Sequence, residues 1–584
     1  MLVVSKTDLS VFGSQIESLL SQLVSMPALH RDMIRRRGEA MARELKGKGV
    51  LVALGPMMNL GRVAAGGRNW EGFGADPYHV GEASYETIVG IQSEGVQACA
   101  KHCISNEQEH YRTTSSSNFD DRTQHELYAH PFLRSVMAGA ASVMCSHNIM
   151  SDWQATHSTI SAARGLNMAM PGDVTFHSND SYFGANSTAA VKNGEVTEDR
   201  VTDMAERIVA AWYLVGQYKG YPDVNFDSSR LQDPINKHVD VQADHYKLVW
   251  EMCAASTMLS KNVLMLAQLN AVPTDTLTVV DWTEPWLWDG TAEFPYFISP
   301  LEAPQQRAKQ DHTTIGWWLN DWDTVGAANA AANKDVALVF VASDSGEQYI
   351  TVDRNEGDRI PWAGLPGQES GNSLADVVYG DVNPSAKLPY TTAKKPEDYC
   401  THVVRNDPSE QPQIPYTGGL LIDYRWFGAE NIEPRYEFGL GLSYTTFEYS
   451  NLKVTRAEDA LLKELIWWDG GVSGNKTGAS IGAWLHDPLS KVSFTVKNTG
   501  KVAGSEVAQM YINPPAGANE PPSVLRGFDK VNLESSESKT VELALSRYDL
   551  SIWSAERRGW ASMNGTVGVW VDPGSRNQIL RGTI

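Results

Sequence analysis

Through the first 235 residues, short apolar runs alternate with stretches of helical texture. GVLVALGP (49–56), GVQACAKHC (95–103), ASVMCS (141–146) and NIMSDW (148–153) each pass into polar or charged residues at the C-terminal end. Runs of that length predict buried parallel strands of an α/β domain, whose chemistry belongs at the C-terminal ends of the strands. A second α/β region follows, with DVALVFVASDSGE (335–347) as its clearest strand. After residue 430 the texture changes to alternating apolar and polar positions, in KVSFTVKNTG (491–500), EVAQMYINPP (506–515), KTVELALS (539–546) and GTVGVWVDPG (565–574), with turn residues between them. That period of two predicts a β-sandwich. The fold class is therefore multidomain α/β plus β, in three regions at about 1–235, 245–400 and 430–584.

Composition narrows the partners. With 584 residues the chain is too long for one core. Its 49 basic and 70 acidic residues give a net charge of −21, which repels phosphate backbones and argues against nucleic acid. No apolar run reaches the roughly 18 residues that a membrane helix needs. A small neutral substrate fits better. The five cysteines (99, 103, 145, 253 and 400) show no metal-type spacing, and Cys99 with Cys103 reads as buried thiols. The first residues lack the features of a signal peptide, whereas Asn186-Ser-Thr, Asn475-Lys-Thr and Asn564-Gly-Thr are acceptor sites that matter only in a secreted protein.

Candidate chemistry concentrates in the first region. GGRNWEGFGADPY (66–78) carries Arg68, Trp70, Glu71 and Asp76, and its glycines lack the dinucleotide-binding spacing, so no cofactor is expected. AKHCISNEQEHYR (100–112) places Lys101, His102, Glu107, Glu109, His110 and Arg112 directly after a strand. Neither this cluster nor HELYAH (125–130) has the H-E-x-x-H spacing that sets two imidazoles on one helical face, so no metal is expected. Cations, imidazole and carboxylates beside aromatic rings suit a sugar, which offers hydroxyls around an apolar ring face. Trp70, Trp153, Trp282, Trp286 and Trp288 are candidate platforms, although aromatic residues more often fill cores.

GRNWEGF, ACAKHCISNEQEHYR, MSDWQATHS, GLNMAMPGD, WAGLPGQESGNSLADVVYGDVNPSAKLPY, RYEFGLGLSYTTF and LRGFDKVNL, in this order, resemble fungal β-glucosidases of glycoside hydrolase family 3. The resemblance implies a TIM-barrel-like first domain, an α/β sandwich and a fibronectin type III-like third domain. It implies that Asp152 of the S-D-W motif is a catalytic nucleophile and that Glu347 of DSGEQY is the acid/base. By the same matching Arg68, Lys101, His102, Arg112, Met144 and Trp153 line the pocket for the terminal sugar, no cofactor is needed, and the protein is secreted. These roles agree with the chemistry, since a retaining glycosidase needs one ionised and one protonated carboxyl. Basic neighbours would keep Asp152 ionised. Without the resemblance, Asp152 reads as a helix N-cap and Glu347 as a solvated loop acid. The K-H-F-P-G-H-G-D loop of N-acetylglucosamine-releasing members is absent, which favours β-glucosidase, with β-xylosidase next.

The departures carry their own expectations. In the family a helix and part of a strand separate the M-C-S-Y-N and S-D-W motifs, whereas here MCSHN abuts IMSDW. A parallel crossover needs about a dozen residues, so the barrel is expected to close short or stay open. A second join follows NEGDR (355–359), His147 replaces a family Tyr, Asp289 stands where the family has Ser, and the early Q-D-S-P-L-G segment is missing. The alternative function is accordingly a catalytically impaired or silent relative, either a binding protein or a misassembled gene product.

Overall fold

The computed structural model describes residues 3–4, 30–145, 150–153, 155–170, 172–174, 178–226, 233–237, 239–260, 276–280, 296–320, 323–339, 367–456, 480 and 483–584. Glu347, His147, Asp289, Trp282, Trp286, Trp288 and both joins lie outside the described residues, as does the side chain of Trp153.

Six parallel strands form the first sheet, in the order Val3–Val4, Val52–Ala53, Gln97–Cys103, Ser142–Cys145, Met150–Trp153 and Met168–Met170. Neighbours in the sheet are neighbours in the chain, so the winding never reverses as it does in a doubly wound sheet; this is the progression of a barrel. The pairings leave Val3–Val4 and Met168–Met170 as edges, so among the described residues the sheet is open. The strands flanking the first join are nonetheless paired. Met144 faces Met150 and Cys145 faces Ser151, two pairs in all. The two strands thus pair in parallel although only four residues separate them, in a sheet that stays open as the short connection leads one to expect. In this register the second strand runs on past the end of the first.

Helices Arg31–Gly47 and Pro77–Ser93 cover this sheet and pack on each other through Ile34, Ala42, Leu45, Val80, Ile88 and Ile91, in one core with Val50, Ala98 and Ala100. Gly38 and Gly90 permit the close crossing, since a Cβ at Gly90 would lie 2.4 Å from the Arg35 carbonyl oxygen. The second unit is a parallel sheet in the order Val336–Val339, Thr276–Val280, Thr314–Trp317, with helices Glu302–Asp311 and Ser370–Tyr379 nearby. The C-terminal unit is antiparallel. Strands Phe447–Arg456, Pro488–Asn498 and Ser538–Ser546 face Val524–Leu533, Gly504–Asn513, Gly568–Asp572 and Leu580–Thr583. Phe494, Val496, Met510, Val541, Leu545 and Val571 fill the space between, which is why their strands alternate.

Buried polar contacts join the units. Asp76 accepts from the His79 N–H at 2.9 Å, capping helix Pro77–Ser93. Its other oxygen accepts from the Tyr424 hydroxyl at 2.9 Å and Arg425 Nη2 at 3.1 Å. The Tyr424 hydroxyl in turn accepts from the Leu525 N–H of the sandwich at 2.9 Å. Nearby, Arg122 bridges Glu126 and Glu520, and Glu126 also accepts from the Trp553 N–H at 2.6 Å.

Buried carboxyls give stability a definite pH dependence. Burial pushes Glu44, Glu107 and Glu437 up to about 7 and Glu126 up to about 8, the last also through its neighbour Glu520. In each case the folded state holds a proton that the unfolded chain has released above about pH 4.3. The stability so contributed is present at low pH and lost as pH rises through the folded value. Burial moves His79, His102 and His130 down, so their contribution has the opposite sign and is complete above about pH 6.5. Among these groups only the carboxyl effect remains between about pH 6.5 and 8, opposed at the upper end by Lys530, which burial pulls down to about 8. The melting temperature is expected to fall across that interval, and to fall less in Glu126→Gln. A wild-type melting temperature that rises from pH 6.5 to 8 would contradict this reading.

Candidate active site

Strand Gln97–Cys103 delivers two of the expected residues. Its first half, Gln97–Ala100, is buried, and its end carries Lys101 and His102, themselves buried. Asp152 lies within strand Met150–Trp153, one strand beyond Ser142–Cys145. It does not cap a helix; Ser158 caps the short turn Thr159–Ser161. His102 Nε2 is 3.6 Å from Asp152 Oδ2, and the Asp152 side chain keeps 26% of its surface exposed. That combination gives a carboxylate open on one side and walled by imidazole on the other.

Glu71 organises the cations. On the short helical turn Asn69–Glu71, it pairs with Arg68 through both oxygens, at 2.6 and 3.0 Å, and its Oε2 is 3.8 Å from Lys101 Nζ. Arg112 pairs with Glu109 at 3.0 Å. Glu109 reaches back through its own N–H to the Gly66 carbonyl at 2.8 Å, which ties the loop carrying Arg68 to the loop carrying Arg112. Asn59, Gly66, Arg68, His102, Glu107 and Glu109 line a common recess. His102 is held well below the ordinary imidazole range, chiefly by burial and then by the charges of Arg68 and Lys101. It is therefore neutral near pH 7.

The structure thus gathers Arg68, Lys101, His102 and Asp152, with Arg112 tied in through Glu109. Met144 sits apart: it is 1% exposed and packs with Val52, Leu54, Cys99, Met150 and Met170 beneath the strand ends. Trp70 is buried as well. Asn59 and Tyr416 carry no signal in the sequence, and Glu71 stands there as a candidate charge without a role. Glu71 and Glu107 stood inside quoted motifs, whereas nothing local marks Asn59, and Tyr416 lies more than three hundred positions from its partner Glu107. Among the described residues no group of three or more His, Cys, Asp or Glu side chains could hold a metal ion, and no helix is long and apolar enough to cross a membrane.

Carboxylate, neutral imidazole and paired cations at the strand ends of a singly wound parallel sheet suit the hydroxyls of a sugar, and the chain's relatives are glycoside hydrolases. Residues 17–166 match the glycosyl hydrolase family 3 N-terminal domain, 355–444 its C-terminal domain and 506–575 the fibronectin type III-like domain. Probable beta-glucosidase L of Aspergillus terreus is 41% identical over 653 residues, covering 95% of this chain and 86% of that protein. Beta-glucosidase cel3A of Pyricularia oryzae is 37% identical, covering 98% and 88%. Among solved structures, a glycoside hydrolase family 3 beta-glucosidase from Neurospora crassa superposes with a TM-score of 0.87 at 33% identity, covering 97% of this chain and 89% of that one. The beta-D-glucoside glucohydrolase of Trichoderma reesei gives 0.84 at 36%, with the same coverage. This chain belongs to glycosyl hydrolase family 3. The 653-residue match to the A. terreus protein is longer than the 584-residue chain, so that relative carries segments with no counterpart here.

Proposed function

We propose that this protein is a retaining β-glucosidase that removes terminal β-D-glucosyl residues from cellobiose-like and aryl β-glucosides. The observation that carries the reading is Asp152 at a strand end, 3.6 Å from a neutral His102 whose charged neighbours are Arg68, Lys101 and Glu71, in a chain whose relatives are named β-glucosidases. In this mechanism an Asp152 oxygen bonds to the anomeric carbon as the bond to the aglycone oxygen breaks. Glu347 gives that oxygen its proton. Water then attacks the same carbon, Glu347 takes a proton back, and the ester to Asp152 breaks. Arg68, Lys101, His102 and Arg112 hold the sugar's hydroxyls, and Trp153 offers a ring face. Met144 supports the floor of the pocket from below.

A chromogenic β-glucoside assay tests the activity, with the matching β-xyloside as competitor. Release from the glucoside is expected to exceed release from the xyloside, and no release from either would favour a silent relative. Glu347→Gln should slow alkyl β-glucosides by about 10²- to 10⁴-fold, the span of general acid catalysis, and nitrophenyl glucosides much less. A nitrophenolate leaves without needing the proton. Equal losses on both substrates would remove Glu347 from the acid role. The extracellular setting is supported by Asn186 and Asn564, acceptor residues that both lie exposed.

A further inference from the structure

Asn59 uses every hydrogen-bonding position of its buried amide. Its Oδ1 accepts from the His102 backbone N–H at 2.9 Å, and its Nδ2 donates to the His102 carbonyl at 3.1 Å. A backbone N–H can only donate and a carbonyl can only accept, so these two contacts fix which end of the amide is oxygen. The second Nδ2 hydrogen points to Glu107 Oε1 at 3.3 Å. Glu107 is itself held by the Tyr416 hydroxyl, which donates to Oε2 at 2.5 Å from the far side of the site. What remains is Oδ1 facing His102 Nδ1 at 3.1 Å. An oxygen whose identity is already fixed demands a hydrogen on Nδ1.

A neutral imidazole protonated at Nδ1 has a bare Nε2. That atom is the one 3.6 Å from Asp152 Oδ2, and two acceptors at that distance do not bond each other. The bare Nε2 calls for a donor, and an alcohol O–H is the donor a sugar brings. We propose that Asn59, locked by Glu107 and Tyr416, sets the tautomer of His102 so that Nε2 accepts a hydrogen bond from a sugar hydroxyl beside the Asp152 carboxylate. Asn59 is thus a positioning residue, acting through His102. The identity of the ligand rests on the β-glucosidase reading; the tautomer does not.

The test separates the two. Ring-¹⁵N-histidine labelling, with His102→Gln to assign the resonance, reads the tautomer without any substrate. In the wild type Nδ1 is expected in the protonated range and Nε2 in the bare range, unchanged from pH 6 to 8. Asn59→Ala should move both nitrogens toward the values of exchanging tautomers and lower kcat/KM about tenfold, the worth of one hydrogen bond. Asn59→Asp keeps an oxygen toward Nδ1 and should keep the protonated Nδ1 signal. Among monodeoxy glucosides, the one most impaired with the wild type should be the one least further impaired by Asn59→Ala. A wild-type Nε2 in the protonated range overturns the inference, as does an unchanged tautomer in Asn59→Ala. A bare Nε2 in a protein that hydrolyses no β-glucoside would support the role of Asn59 and sink the proposed activity.

Discussion

Asp152→Asn is expected to lower β-glucoside hydrolysis by about four orders of magnitude or more, for every aglycone tested, while leaving the fold intact. The two side chains have the same shape. Asp152 is also partly exposed, so the substitution leaves no charge stranded in the interior. The amide cannot form the ester on which both halves of the reaction depend, and a better leaving group cannot compensate for a missing nucleophile. That uniform loss separates Asp152 from Glu347, whose replacement should matter in proportion to the leaving group's basicity. His102 and the Arg68–Glu71 pair would still bind substrate, so a weak residual affinity for glucose should survive. Wild-type turnover in the Asn variant would remove Asp152 from the chemistry.

The second large effect concerns the joint between the units. Arg425→Met should destabilise the protein by about 3–5 kcal/mol, because it leaves the Asp76 carboxylate buried without its cation. Asp76 is 0% exposed and Arg425 3%, so water cannot replace the lost partner. Natural domains hold about 5–15 kcal/mol of net stability, so this loss is a large share of the whole. Tyr424→Phe should cost about 1–3 kcal/mol, since its hydroxyl links Asp76 to the Leu525 N–H. Combining Asp76→Asn with Arg425→Met should recover part of the Arg425→Met loss, because no buried charge then remains. Thermal melts of the three variants check the order, and an Arg425→Met melt equal to that of the wild type would show that the joint carries little stability.

Particular residues show how far sequence reached. The strand carrying Lys101 and His102 is legible because an apolar run ends abruptly in charge, although burial runs on through both charged residues. The sandwich strands were legible from their period of two. The pairing across the first join was not, because stagger between strands is a property of the sheet that no local pattern encodes. Asp76 stood in a quoted motif, yet its partners Tyr424 and Arg425 come from nearly 350 residues away. Asn59 sits in MMNLG, where nothing about an Asn announces that it will hold an imidazole forty-three residues further on. Met144 was expected to line the pocket and is instead packed among neighbours on the sheet, since an apolar side chain at a strand end is drawn inward wherever apolar neighbours await it.

A covalent intermediate on Asp152 is the centre of this account, and it can be trapped. A 2-deoxy-2-fluoro-β-glucoside with an activated aglycone slows both steps by destabilising the charged transition state, but the good leaving group lets the first proceed, so the glucosyl ester accumulates. Peptide mass spectrometry of the inactivated protein is predicted to find one fluoroglucosyl group on the peptide spanning SDWQATHS, with fragmentation placing it on Asp152. Attachment to any other residue, or undiminished turnover of the reagent with no labelled peptide, would contradict it.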